Sequence, residues 1–198
     1  EKVREMRLKS SKTATRAKAK RPFAFDEVKQ TGDEKTIIVP SVSSENRDFL
    51  PVALLDKGYL IKAPNFALYN APLWNMAIIA SSLHIVWIGT VCGKLETRYR
   101  YSNTMGWNTF PVPKLTTLNK QELTNSAETI LLARESHFPA TIADLYKPEA
   151  MPENLRAAHA ENDRILEEIY IGREFKNDTE RLEKLFEMYS KMTSKGGL

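Results

Sequence analysis

Lys94 to Ser102 reads KLETRYRYS and holds one carboxylate, Glu96, among Lys94, Arg98 and Arg100, with two phenols at Tyr99 and Tyr101. If this stretch is extended, side chains alternate. Glu96, Arg98 and Arg100 then share one face, and Leu95, Thr97, Tyr99 and Tyr101 share the other. An arginine can donate two hydrogen bonds to guanine O6 and N7 in a major groove, and a carboxylate can accept one from cytosine N4. A Glu and an Arg side by side can therefore read both halves of one C·G pair, a contact worth roughly 1–3 kcal/mol of discrimination. The competing reading is a surface ion pair worth about 0–1 kcal/mol, and residue types alone favour it. Ser102, Asn103, Thr104 and Asn108 follow, before Phe110-Pro-Val-Pro113. Their hydroxyls and amides suit phosphates or bases, and equally suit turns. A second polar cluster, Ser43-Ser44-Glu45-Asn46-Arg47, offers Arg47 and two hydroxyls to a phosphate, or forms a capped turn with Glu45 bridged to Arg47.

Catalytic candidates are thin. His159 and Asp163 have the helical pitch of two metal ligands, but two ligands do not make a site. His84 and Cys92 fall in an apolar run, where a buried thiol is the simpler reading than a nucleophile. No Gly-rich phosphate loop and no G-x-S-x-G occur, and the eight glycines do not cluster. The chain by itself does not read as an enzyme.

The positioning elements follow from composition and pattern. The chain has 198 residues, 42% hydrophobic and 27% charged, with a net charge of +4. Nine Lys/Arg against Glu1 and Glu5 fall within residues 1–21, so the rest of the chain is net acidic. Such a block is a phosphate-seeking arm or a solvated helix face. Lys12, Arg16, Lys18 and Lys20 are its candidate backbone contacts, and Phe23 and Phe25 are expected to dock it onto the body. One cysteine excludes an internal disulfide, and the basic start carries no signal-peptide pattern, which reads as a cytoplasmic chain cut from a longer one. From Thr36 short β runs are expected at 36–39, 49–55, 59–62 and 66–69, with a hairpin at Asp56-Lys57-Gly58. No charged residue lies between Lys62 and Lys94. Pro72 to Cys92 reads as one buried core helix, capped by Asn70, rather than a membrane span, because Asn75, Ser81, Ser82 and His84 interrupt it. After Pro113 the three- and four-residue apolar spacing predicts helices capped near Asn119, Pro152 and Asn177. The expected class is α+β: a small mixed sheet with one buried apolar helix, then a C-terminal helical bundle. The expected divisions are a basic helical arm (1–22), an α/β domain (23–118) and a helical segment (119–198).

Several motifs occur in a fixed order: Val42-Ser-Ser-Glu-Asn-Arg47 with Leu50-Pro-Val, Ser81-Ser-Leu-His, Val91-Cys-Gly-Lys-Leu, Tyr99-Arg-Tyr-Ser102 and Asn108-Thr-Phe-Pro-Val-Pro113. Leu145-Tyr146, Met151-Pro152, Leu155-Arg156, Ala158-His159 and the helix from Arg181 to Tyr189 extend the series. Together they resemble the C-terminal part of the MmeI-like single-chain restriction-and-modification enzymes. The resemblance implies a target-recognition domain plus a helical segment, with double-stranded DNA and the methyltransferase domain of the same parent as partners. It implies no cofactor in this fragment. S-adenosylmethionine, adenine-N6 methylation and a nuclease would belong to the parent. Its specificity positions correspond to the interval holding Glu96, Thr97 and Arg98, which tips the pair toward base reading. Met105-Gly106-Trp107 departs from the family pattern, where a tyrosine-containing run is more usual. The rival from another class is a protein-interaction module that braces a partner catalytic domain.

Overall fold

A computed structural model describes residues 1–24 and 30–195. Its class is α+β, with two three-stranded antiparallel sheets where the sequence suggested a single mixed one. In the first sheet β1 (Thr36–Pro40) is central, between β3 (Ala53–Leu55) and β4 (Asn65–Tyr69). Ile37 and Val39 point into the core, as the two-residue period requires. The chain then crosses at Ser41 into the second sheet, where β2 (Val42–Ser43) pairs with β6 (Arg98–Arg100), and β6 with β5 (Lys94–Leu95). No strand forms over 59–62, where Tyr59 and Leu60 are exposed. Asp56-Lys57-Gly58 is a turn but not a hairpin, because β3 and β4 both pair with β1 rather than with each other.

The apolar run forms two helices instead of one, α3 (Trp74–Ile79) and α4 (Ser82–Val91). Ser81 makes the break. Its hydroxyl accepts from His84 N–H at 3.2 Å and donates to the Ile78 carbonyl at 2.7 Å, so a serine N-cap restarts the helix. Asn70 is not a cap; it sits at φ +50, and its side chain accepts from Lys35 N–H. Among the described residues no helix is long and apolar enough to cross a membrane.

The C-terminal helices are α5 (Thr117–Glu135), α6 (Ile142–Leu145), α7 (Glu153–Ile171) and α8 (Asp178–Lys195). A Thr116/Asn119 capping box starts α5, three residues before the expected cap. These helices pack both on one another and on the body. α5 packs on α7 and α3, and α8 packs on α4, so α3 and α4 are the shared centre of one core. Polar groups lock this joint. Asn162 of α7 accepts from Ser126 at 2.8 Å and donates to the Ala77 carbonyl at 2.9 Å. Asp163 accepts from the Ser82 N–H at 2.8 Å and from the Ser82 hydroxyl, capping α4 from outside its own chain segment. Tyr170 donates to the Pro111 carbonyl at 2.8 Å. A buried arginine, Arg134, donates to the Val52 carbonyl at 2.5 Å and twice to the Tyr146 phenol, which leaves the phenol proton for His159 Nε2 at 2.6 Å.

The basic arm comprises α1 (Lys2–Leu8), α2 (Thr13–Ala17) and a 3-10 turn, Lys18–Lys20, which fold against one another. Phe23 is 85% exposed and does not dock, and Phe25 lies outside the described residues.

Candidate nucleic-acid interface

Lys94 to Tyr101 is not one extended strand. Lys94 pairs with Tyr99 and Leu95 with Arg98, leaving Glu96-Thr97 as a two-residue hairpin turn. Such a tight turn needs a left-handed residue at its first position, usually glycine. Here Glu96 takes that place at φ +58. A carboxylate thus occupies the hairpin tip at some backbone cost. Arg98 Nη2 donates to Glu96 Oε2 at 2.6 Å, with the arginine side chain 45% and the glutamate 75% exposed.

Alternation within β6 sends Arg98 and Arg100 to the outer face and Tyr99 to the inner one. The turn resets the parity, so Leu95 lies on the outer face beside Arg98, and Val42 opposite Arg100 joins them. An open groove of about 960 Å³ runs along this face, lined by Val42, Asn65, Phe66, Leu95, Arg100 and Met105 among others. Arg98, Arg100 and Lys94 are all exposed.

A further carboxylate belongs to this corner. The Glu45 carboxyl is held below its ordinary range, first by the Thr97 hydroxyl and also by the charges of Arg98 and Lys94. Glu45 therefore faces the hairpin tip rather than bridging to Arg47. No local pattern in the sequence pointed to this, because the contact spans two strands.

The remaining candidates divide into outward and inward groups. Asn103 and Asn108 are exposed at the two ends of a π-helical turn, Asn103–Trp107. Ser102 is its N-cap, accepting from Met105 N–H at 3.3 Å. Trp107 packs edge-on against His84, with ring centres 6.0 Å apart. Ser44 turns back on itself, accepting from Asn46 N–H, and Ser43 is buried. Arg47 points inward: it donates to the Tyr146 carbonyl at 3.3 Å and to the Ser43 hydroxyl at 3.4 Å, tying the body to the C-terminal helices. In the arm, Arg16 donates to the carbonyls of Ser10 and Ser11 and to Thr13. Arg7 likewise binds the carbonyls of Lys18, Arg21 and Ala24. These two arginines hold the arm's shape, while Lys12 and Lys20 are exposed and Lys18 is half-buried.

The catalytic alternatives are taken up by structural contacts. His84 Nε2 lies 3.1 Å from the Tyr101 hydroxyl, and burial pulls its pKa down to about 3. Burial raises the Cys92 thiol, the opposite of what a nucleophile needs. His159 stacks on Phe49 and bonds Tyr146, while Asp163 caps α4, so the two serve different contacts.

Residues 1–114 match the family described as the MmeI target recognition domain, and residues 116–195 match the MmeI C-terminal domain. The chain is 38% identical over 189 residues to DNA methyltransferase A of Bacillus subtilis (strain 168), covering 96% of this chain and 21% of that protein. It thus spans about a fifth of that relative's length. A solved structure of the Type IIL restriction-modification enzyme MmeI in complex with DNA superposes with a TM-score of 0.87 at 34% identity, over 98% of this chain and 26% of that one.

Proposed function

This chain belongs to the MmeI family, carrying its target recognition and C-terminal domains, and from that premise we propose that it selects the DNA sequence on which a longer parent acts. In this reading Glu96 and Arg98 enter the major groove and read one C·G pair, cytosine N4 donating to the carboxylate and guanine O6 and N7 accepting from the guanidinium. Arg100 reads from the same face. Lys94, Asn103, Asn108 and the arm lysines meet the phosphate backbone, which positions the duplex without specifying sequence. Ser43, Ser44, Ser102, Arg47 and Arg16 act indirectly, by holding the loops and the arm in shape.

The observation that carries the proposal is the hairpin tip itself: a carboxylate and a guanidinium 2.6 Å apart, both accessible, beside an open groove. An exposed pair is worth about 0–1 kcal/mol to the fold, so redirecting it to bases costs little. The interaction-module alternative needs the arginine strand turned inward, and that exposure disfavours it.

The parent's chemistry, adenine-N6 methylation with S-adenosylmethionine and cleavage by a nuclease, lies in this reading outside the chain, and the methyltransferase domain is its partner within the parent. The test is a methylation-protection assay on the full-length parent with Glu96→Ala plus Arg98→Ala. The methylated site should relax or change at one base position; an unchanged site preference removes the proposal.

A further inference from the structure

Gly89 lies inside α4, where glycine is a poor helix former. Its backbone does not explain it, because Gly89 is absent from the positive-φ residues, which among the described glycines are Gly32, Gly58 and Gly172. Space does. A Cβ at position 89 would stand 3.1 Å from Tyr99 Cε1, 3.6 Å from Cζ and 3.7 Å from the hydroxyl. Tyr99 is the inward residue of β6, paired with Ser43 on one side and Lys94 on the other. Its ring lies along one stripe of α4, and Ile85, Val86 and Ser82 of that helix line the same cleft as Tyr99 and Glu45. The hairpin thus meets α4 where the Tyr99 ring sits in a notch left by one missing side chain.

We infer that Gly89 and Tyr99 are positioning residues: the notch sets how far the β5–β6 hairpin stands off α4, and so which base edges Glu96 and Arg98 can reach. This rests on the base-reading proposal above. The tip lies two to three residues beyond Tyr99, about 7–10 Å at strand rise, so a tilt at the ring is magnified at the tip. An added methyl forces the ring to give by a few tenths of an ångström. An isopropyl group forces more. Directional hydrogen bonds weaken steeply with misalignment, while phosphate contacts through flexible lysines tolerate it.

The experiment is selection from a randomised duplex library by the full-length parent carrying Gly89→Ala, Gly89→Val, Gly89→Val with Tyr99→Leu, or Arg98→Ala. One bidentate base contact is worth roughly 5- to 150-fold in preference, so Gly89→Val should lose about threefold or more at the Arg98-dependent position, and Gly89→Ala less. Affinity for random duplex and its salt dependence should not change. Tyr99→Leu removes the two ring carbons and the hydroxyl that the new side chain meets, and the double variant should recover the preference. If Arg98→Ala loses the preference while a folded Gly89→Val keeps it, the inference is overturned. Equal loss at every position, or no recovery in the double variant, overturns it too. If Arg98→Ala keeps every preference, the base-reading proposal has failed and this inference falls with it.

Discussion

Asp163→Asn should stabilise the protein at neutral pH, by an amount that shrinks on acidification. The Asp163 carboxylate is held in the joint between α7 and α4, and its pKa is raised from 3.8 to about 6, first by burial and then by the neighbouring Glu167. The bonds from Ser82 and the charge of Arg181 act the other way without prevailing. A carboxyl whose folded pKa lies above its unfolded one binds its proton more tightly in the native state. Its penalty is therefore absent below about pH 4, grows by about 1.4 kcal/mol per pH unit up to about pH 6, and is complete at neutrality. The full figure is about 2–3 kcal/mol, the lower end allowing for the solvent that still meets one edge of the half-buried side chain. Asparagine removes the charge and keeps a carbonyl oxygen for the Ser82 N–H, and its amide can donate to the Ser82 hydroxyl. Urea unfolding of both proteins from pH 4.5 to 7.5 at constant ionic strength gives the difference curve, from which all other titrations cancel. A gap that widens with pH in favour of asparagine is expected. A pH-independent gap, or an asparagine variant that is the less stable at pH 7.5, would refute the reasoning.

Three further outcomes follow from the same contacts. His84 and His159 are both fully buried with pKa values pulled down to about 3, so the unfolded chain takes up protons first as pH falls through 6.5. Going from pH 7 to pH 5 should cost about 4 kcal/mol from the pair, partly offset by about 1 kcal/mol from Asp163, a net loss of about 2–3 kcal/mol in unfolding free energy by urea titration. Lys12→Gln with Lys20→Gln should weaken the parent's binding to all duplexes alike and lower the slope of log affinity against log salt by about one per lost phosphate contact. Arg16→Gln should leave that slope nearly unchanged and instead speed proteolysis at Ser10-Ser11, because its guanidinium closes that turn.

The helices were legible because their apolar residues recur at three and four: Leu123, Ala127 and Ile130 are all buried, as are Leu155, Ala158 and Leu166. The opposed faces of Arg98 and Tyr99 were legible from alternation alone. The turn between Glu96 and Thr97 was not, because neither residue is a usual left-handed turn former. The serines that broke the apolar run in sequence break the helix in space, but the second capping contact, Ser82 N–H to the Asp163 carboxylate, comes from 81 residues away and left no local pattern. Arg47 read as a phosphate ligand or the partner of Glu45, and Arg134 carried no signal in the sequence. Their inward turn depends on acceptors at Tyr146 and Val52 that no local pattern reveals.

A structure of the full-length parent on a duplex carrying its own methylation site tests base reading by the hairpin most directly. It should show the Arg98 guanidinium within about 3 Å of guanine O6 and N7, and the Glu96 carboxylate within about 3 Å of the paired cytosine N4. A hairpin tip lying outside the groove, with the pair still closed on itself, would contradict it.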